Sequence, residues 1–299
     1  WALLAVYAVL GGPAWAAPIA WNGSADATWD NVNNWTPSGA EPAIGDDTSF
    51  PAAIPLTGST IALTAGELTN TLTFNNSYTL TGGNLAFGAS QAINVGANTV
   101  TLACSLLNGT GGTYLKKQGT GTLILTGDNS AYTQWMDVNS GTVSVRNGSS
   151  VPGSYFHVTN AASVVDLQGG ITTPAGKIVY LSGTAANDDP SFRSVSGNNT
   201  WGGTVTLHGG GGRHNVGVDT GSTLTITGGV GQSAAGSLFK VGGGTLTLNG
   251  AGSYTLGTTI VNGTLQFGVN NALGSGTATL GDTGTGANNI ALLANFASA

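Results

Sequence analysis

Few side chains in this protein can do chemistry: of 299 residues, seven are Lys or Arg, thirteen are Asp or Glu, three are His and one is Cys. Asp188 and Asp189 are adjacent in Asn187-Asp-Asp-Pro-Ser191, and paired carboxylates are the reagents of glycoside hydrolysis. Neighbours on a strand point to opposite faces, however, and in a turn both are simply solvated. Asp166, Lys177 and Arg193 are further charged residues that a coiled chain would bring near one another on successive turns. His208 and His214 flank Gly209-Gly-Gly-Gly-Arg213. Two imidazoles need further ligands to hold a metal, and a glycine loop cradles phosphate only between a strand and a helix. A flexible loop protruding between turns is therefore the expectation for this segment, which also lacks the Gly-Gly-x-Gly-x-Asp pattern of calcium-binding solenoids. Cys104 stands alone in the strand-like Thr101-Leu-Ala-Cys-Ser-Leu106, with no activating neighbour in sequence, and reads as a buried, inert thiol. Trp21, Trp29 and Trp35 could stack on sugar rings, but a capping core is the expectation. No catalytic, cofactor-binding or metal-binding residue is predicted, and no cofactor.

The elements that would position these residues are announced by repetition. A small turn residue, then Thr, then apolar–any–apolar occurs nine times, starting at Asn70, Asn98, Gly121, Gly141, Gly203, Ser222, Gly244, Gly263 and Gly276. The starts are separated by 28, 23, 20, 62, 19, 22, 19 and 13 residues, and 62 reads as three steps of 20 or 21. Alternation at period two is a strand signal, and a fixed step of this size marks a stacked-repeat architecture. One such strand cannot bury its apolar side alone. Returning after about 20 residues to stack in parallel, about 4.8 Å away, it can. The expected fold is an all-β, single parallel β-helix (a β-solenoid) with rungs of about 20 residues. Leu123, Val143, Val205, Leu224, Leu246 and Leu265 are expected to form one wall of its core. Ser163–Leu167 and Gly176–Tyr180 are degenerate rungs that carry the coil through the 62-residue gap. No amphipathic helix of useful length is possible, because Gly and β-branched residues interrupt every window.

Composition narrows the setting. A net charge of −6 with dispersed Lys and Arg excludes a nucleic-acid partner, which would need a basic footprint. Ala2–Leu10 is apolar, Gly12-Pro13 breaks it, and Ala14-Trp15-Ala16 is a small–x–small cleavage pattern before Ala17. Residues 1–16 therefore read as a secretory signal peptide lacking its start. Residues 17–58, rich in Trp, Asp, Asn and Pro, read as an N-terminal cap on the exposed sheet edge. Residues 59–299 read as the solenoid, with its C-terminal continuation expected to be missing.

Two longer stretches carry a resemblance. Lys117-Gln-Gly-Thr-Gly-Thr-Leu-Ile-Leu-Thr-Gly127 leads to Tyr132-Thr and Val138-Asn-Ser-Gly-Thr-Val-Ser-Val145. Lys240-Val-Gly-Gly-Gly-Thr-Leu-Thr-Leu-Asn-Gly250 leads to Ser253-Tyr-Thr, Val261-Asn-Gly-Thr-Leu-Gln-Phe267 and Ala272-Leu-Gly274. These copies, near 116–145 and 239–274, resemble the autotransporter-associated β-strand repeat. The first copy departs from the pattern by replacing a Gly-Gly-Thr turn with Gln134-Trp-Met-Asp137. The resemblance implies a right-handed parallel β-helix exported as the passenger of a bacterial autotransporter. It implies a location on the cell surface, contact with cell-surface or extracellular matrix components, glycans included, and a link to the outer membrane through the missing C-terminal region. The repeat itself carries no catalytic residue.

Two functions follow as expectations. One is a non-catalytic, adhesin-like surface rod; the other is a polysaccharide-binding or polysaccharide-cleaving protein on the same coil. A flat Thr/Ser/Asn exterior favours the first, while clustered carboxylates or aromatics lined up along one outer face favour the second.

Overall fold

Where a turn is followed by Thr and apolar–any–apolar, the chain is extended and alternately buried, as in Thr204–Leu207 and Thr223–Ile226. Period-two side chains leave one row facing a core and one facing water. The computed structural model describes residues 18–296 apart from 44, 56, 65, 110–113, 183–186, 211 and 284. The leader expected over residues 1–16, and its cleavage point before Ala17, lie outside the described residues.

The chain winds into a right-handed parallel β-solenoid of about 10 turns, each of roughly 22 residues. Among the described residues every strand pairing but one is parallel. The exception is Ile19–Trp21 with Trp35–Thr36 at the N-terminal end. The first wall runs through Asp47–Phe50, Tyr114–Gln118, Trp135–Val138, Tyr155–Val158, Ile178–Leu181 and Thr204–Leu207. The second runs through Thr122–Leu125, Gly141–Val145, Ser163–Gln168, Phe192–Ser196, Arg213–Val218 and Ser237–Val241. The third is laddered through 67–69, 84–87 and 105–107 near the N-terminal end, and again from Asn198–Trp201 onward through Thr223–Ile226, Thr245–Leu248, Gly263–Phe267 and Ile290–Ala294.

This arrangement corrects the expectation of one apolar wall. Leu123 and Val143 stack on the second wall. Leu224, Leu246 and Leu265 stack on the third. Val205 lies on the first, between Val179 and Val230. The gap from Gly141 to Gly203 is likewise not three whole turns, because it begins on the second wall and ends on the first. Above Val143 the successive partners are Val165, Phe192 and Val216. Both degenerate rungs are indeed strands of the coil, on adjacent walls.

The N-terminal cap is aromatic. Trp21, Trp29, Trp35 and Phe50 are fully buried or nearly so. The Trp35 ring meets Trp21 at 5.0 Å and Trp29 at 4.8 Å, edge to face, and its Nε1 donates to the Trp29 carbonyl at 2.7 Å. Phe50 then stacks on Phe74 of the next turn at 4.5 Å. The three tryptophans thus close the end of the core and offer no sugar platform.

Candidate functional site

Of the charged residues singled out by sequence, Asp188, Asp189 and Arg193 line one surface hollow together with Asp219, and Lys177 does not join them. Asp166 and Arg193 are register partners on adjacent turns, but Arg193 grips Asp219 with two bonds, Nε–Oδ1 at 2.9 Å and Nη2–Oδ2 at 2.6 Å. Asp166 is mostly withdrawn from water, and burial pushes its carboxyl above the usual range. Asp188 is ion-paired to Arg213, which also reaches Asp282 at 3.0 Å and lies over the Phe239 ring. Asp189 contributes its carbonyl to the Asn215 amide at 2.9 Å. Lys177 is elsewhere, its ammonium donating to the carbonyls of Val151 and Gly153. Asp188 and Asp219 are thus each held by a guanidinium partner.

Cys104 is buried in the strand Thr99–Leu107, and burial pushes its thiol up to about 12, which disfavours the thiolate form. His208 and His214 also part company. His214 is turned into the core, with Nε2 3.0 Å from the His208 carbonyl. The expected protruding loop gives way at once to the strand Arg213–Val218, where alternation sends His214 inward.

The feature that sequence reasoning missed lies on the outside of the first wall. Trp135 is in register with Tyr114, and one turn on it meets Tyr155. Tyr114 and Trp135 stack at 5.3 Å and 7°, and Trp135 and Tyr155 at 5.1 Å and 15°. Lys116 places its ammonium 5.1 Å from the Tyr114 ring. In the neighbouring column Asp137, His157 and Tyr180 are in register. His157 Nε2 is 2.7 Å from Ser182 Oγ and its Nδ1 is 3.4 Å from Asp137 Oδ1. His208 Nδ1 is 2.5 Å from Ser233 Oγ. Tyr155, His157, Tyr180, His208 and Ser233 line a surface hollow of about 390 Å³. The other two walls are different outside: the third presents the Thr ladders Thr223–Thr245–Thr264 and Thr225–Thr247. The aromatic strands lack the Thr-led motif, which is why the motif did not find them. The signal that could have done so is the recurrence of an aromatic at Tyr114, Trp135 and Tyr155, in steps of 21 and 20 residues.

A family of repeats described as the Passenger-associated-transport-repeat matches residues 115–145 and 238–267. The chain thus carries two passenger-associated-transport repeats. It is 30% identical, over 225 residues, to the Adhesin BmaC autotransporter of Brucella suis biovar 1 (strain 1330). That alignment takes in 75% of this chain and 6% of the adhesin. No solved structure gives a significant match.

The two passenger repeats share one internal device. The Lys117 ammonium is buried and donates to the carbonyls of Gln118, Gly119 and Ser140 at 2.8–3.0 Å. The Lys240 ammonium does the same to Val241, Gly242 and Asn262, at 3.0, 2.5 and 2.9 Å. In each, the third acceptor immediately precedes the glycine that opens the next strand, Gly141 or Gly263. Those glycines have φ of +68° and +75°, and a Cβ on either would come within 2.5 Å of a carbonyl oxygen one turn away. The repeats nevertheless sit on different walls: Lys117 stacks beneath Val138 on the first and Lys240 beneath Ile260 on the second. The departure noted in the first repeat, Gln134-Trp-Met-Asp137, is the segment that supplies Trp135 and Asp137 to the aromatic wall.

Proposed function

We propose that this chain is a segment of an exported autotransporter passenger, a non-catalytic rod that displays an adhesive surface outside the cell. The passenger repeats carry this reading, and the likeness to an adhesin over 75% of the chain supports it. Physically the rod is suited to the task. Each turn contacts only its neighbours, so length is added without redesigning a core. The Thr ladders of the third wall suit a hydrated rod, while the aromatics lined up on the first wall favour the polysaccharide-binding alternative. The partners expected are components of other cells or of the extracellular matrix. In the same reading residues 1–16 direct export, and protein recovered from the cell exterior begins at Ala17.

Beads coated with the chain, presented to cultured epithelial cells and to immobilised matrix proteins, test the adhesive role. Saturable attachment above that of uncoated beads supports it. Attachment no greater than background on every surface overturns it. N-terminal sequencing of exported protein tests the leader, and secreted material that still carries residues 1–16 would refute cleavage.

A further inference from the structure

The rings on the first wall change their mode of packing part-way along. Tyr114, Trp135 and Tyr155 lie nearly parallel and cover one another's faces. After Tyr155 that column continues with Ile178, and the next ring, Tyr180, comes from the neighbouring column and stands at 81° to Tyr155. His157 and His208 stand at 80° and 77° to Tyr180 and at 89° to each other. Rings at right angles do not stack on one another, and these border a hollow of about 390 Å³. That volume is in the range of small-ligand sites, about 300–1,000 Å³.

We infer that this hollow, lined by Tyr155, His157, Tyr180, His208 and Ser233, binds an uncharged sugar unit of a surface glycan, an inference that rests on the adhesive reading above. A pyranose has a C–H-lined face and a rim of hydroxyls. It therefore needs aromatic faces for the one and neutral donors and acceptors for the other. The hollow supplies both: phenol, imidazole and serine hydroxyl groups surround the rings. A wholly apolar occupant would cut the Tyr155 and Tyr180 hydroxyls off from water without pairing them. A strongly acidic occupant finds no cationic clamp, since Asp137 is beside His157 and Lys116 is drawn over Tyr114. The imidazoles are already oriented, His157 by Asp137 and Ser182 and His208 by Ser233, so little ordering remains on binding.

The test uses the full chain and saturation-transfer NMR with cellohexaose, maltohexaose and chitohexaose, and with sialyllactose as the charged comparison. Transfer to at least one neutral oligosaccharide is expected. Tyr180→Ala and His208→Ala should each weaken that binding about tenfold or more, a change worth about 1.4 kcal/mol. Thr247→Ala, on the third wall, should leave it unchanged. Circular dichroism verifies the fold of each variant, and if Tyr180→Ala melts early, Ser233→Ala and His208→Gln replace it because they leave the stacked rings intact. The inference is overturned by absence of transfer from every neutral probe, by binding of sialyllactose alone, or by neutral binding that none of the hollow's variants alters. Coated beads that attach to cells while no neutral glycan binds would leave the adhesive reading standing and remove this one. Glycan binding mapped to the hollow, with beads that fail to attach, would do the reverse.

Discussion

Single residues in this coil act chiefly on carbonyl groups. Gly141 and Gly263 bring the chain so close to the turn beneath that no side chain fits, and their positive φ suits only glycine. Gly263→Ala should cost about 3 kcal/mol, from left-handed strain plus displacement of the neighbouring turn, measured by guanidinium unfolding. Lys240→Met should cost about 2–3 kcal/mol, because three buried carbonyls lose their common donor. The acidic group near the cap gives a pH signature. The carboxylates of Asp30, Glu41 and Glu67 lie within 4.8 Å of one another, and burial followed by the Asp30 hydrogen bond pushes Glu67 from 4.5 up to about 7. The folded state thus holds a proton on Glu67 that the unfolded chain has released between pH 4.5 and about 7. The stability due to Glu67 is complete below pH 4.5 and is lost as pH rises through that window. Melting temperatures measured from pH 7 to pH 5 should rise on acidification, and Glu67→Gln should flatten the rise.

At the scale of elements, the cap and the strands answer to different physics. The cap must cover a ring of unpaired backbone and an open core, which it does with tryptophan edges against Phe50. Trp35→Ala should cost about 4 kcal/mol by cavity formation and favour association through the uncovered edge, visible in light scattering. The strands and the coil were legible in the sequence because Thr-led alternation is a local pattern. Which wall a strand occupies was not legible, since wall identity depends on how many residues each corner uses, and corners here vary. Val205 and Leu224 carry the same motif yet face the core from different sides. The aromatic hollow was hidden for the same reason. Tyr155, Tyr180 and His208 meet only once steps of 25 and 28 residues have been wound into register, although the unusual Gln134-Trp-Met-Asp137 already marked the strand concerned.

The whole molecule is a shaft with unlike sides: threonine ladders on one, buried seams within, and rings along another. With about 10 turns and about 4.8 Å per turn, the coil should be about 50 Å long, which small-angle scattering will show as an elongated particle. A distance distribution of a sphere would contradict it. The two passenger repeats also bear on how such shafts evolve. Each encodes four strands, two on each side of one corner over successive turns, but one copy is turned a third of the circumference from the other. Unequal crossing-over between them would shorten the gene and, at the same stroke, change the azimuth of everything beyond the junction. In this protein the bearing of the rings around the shaft is therefore as heritable as the rings themselves.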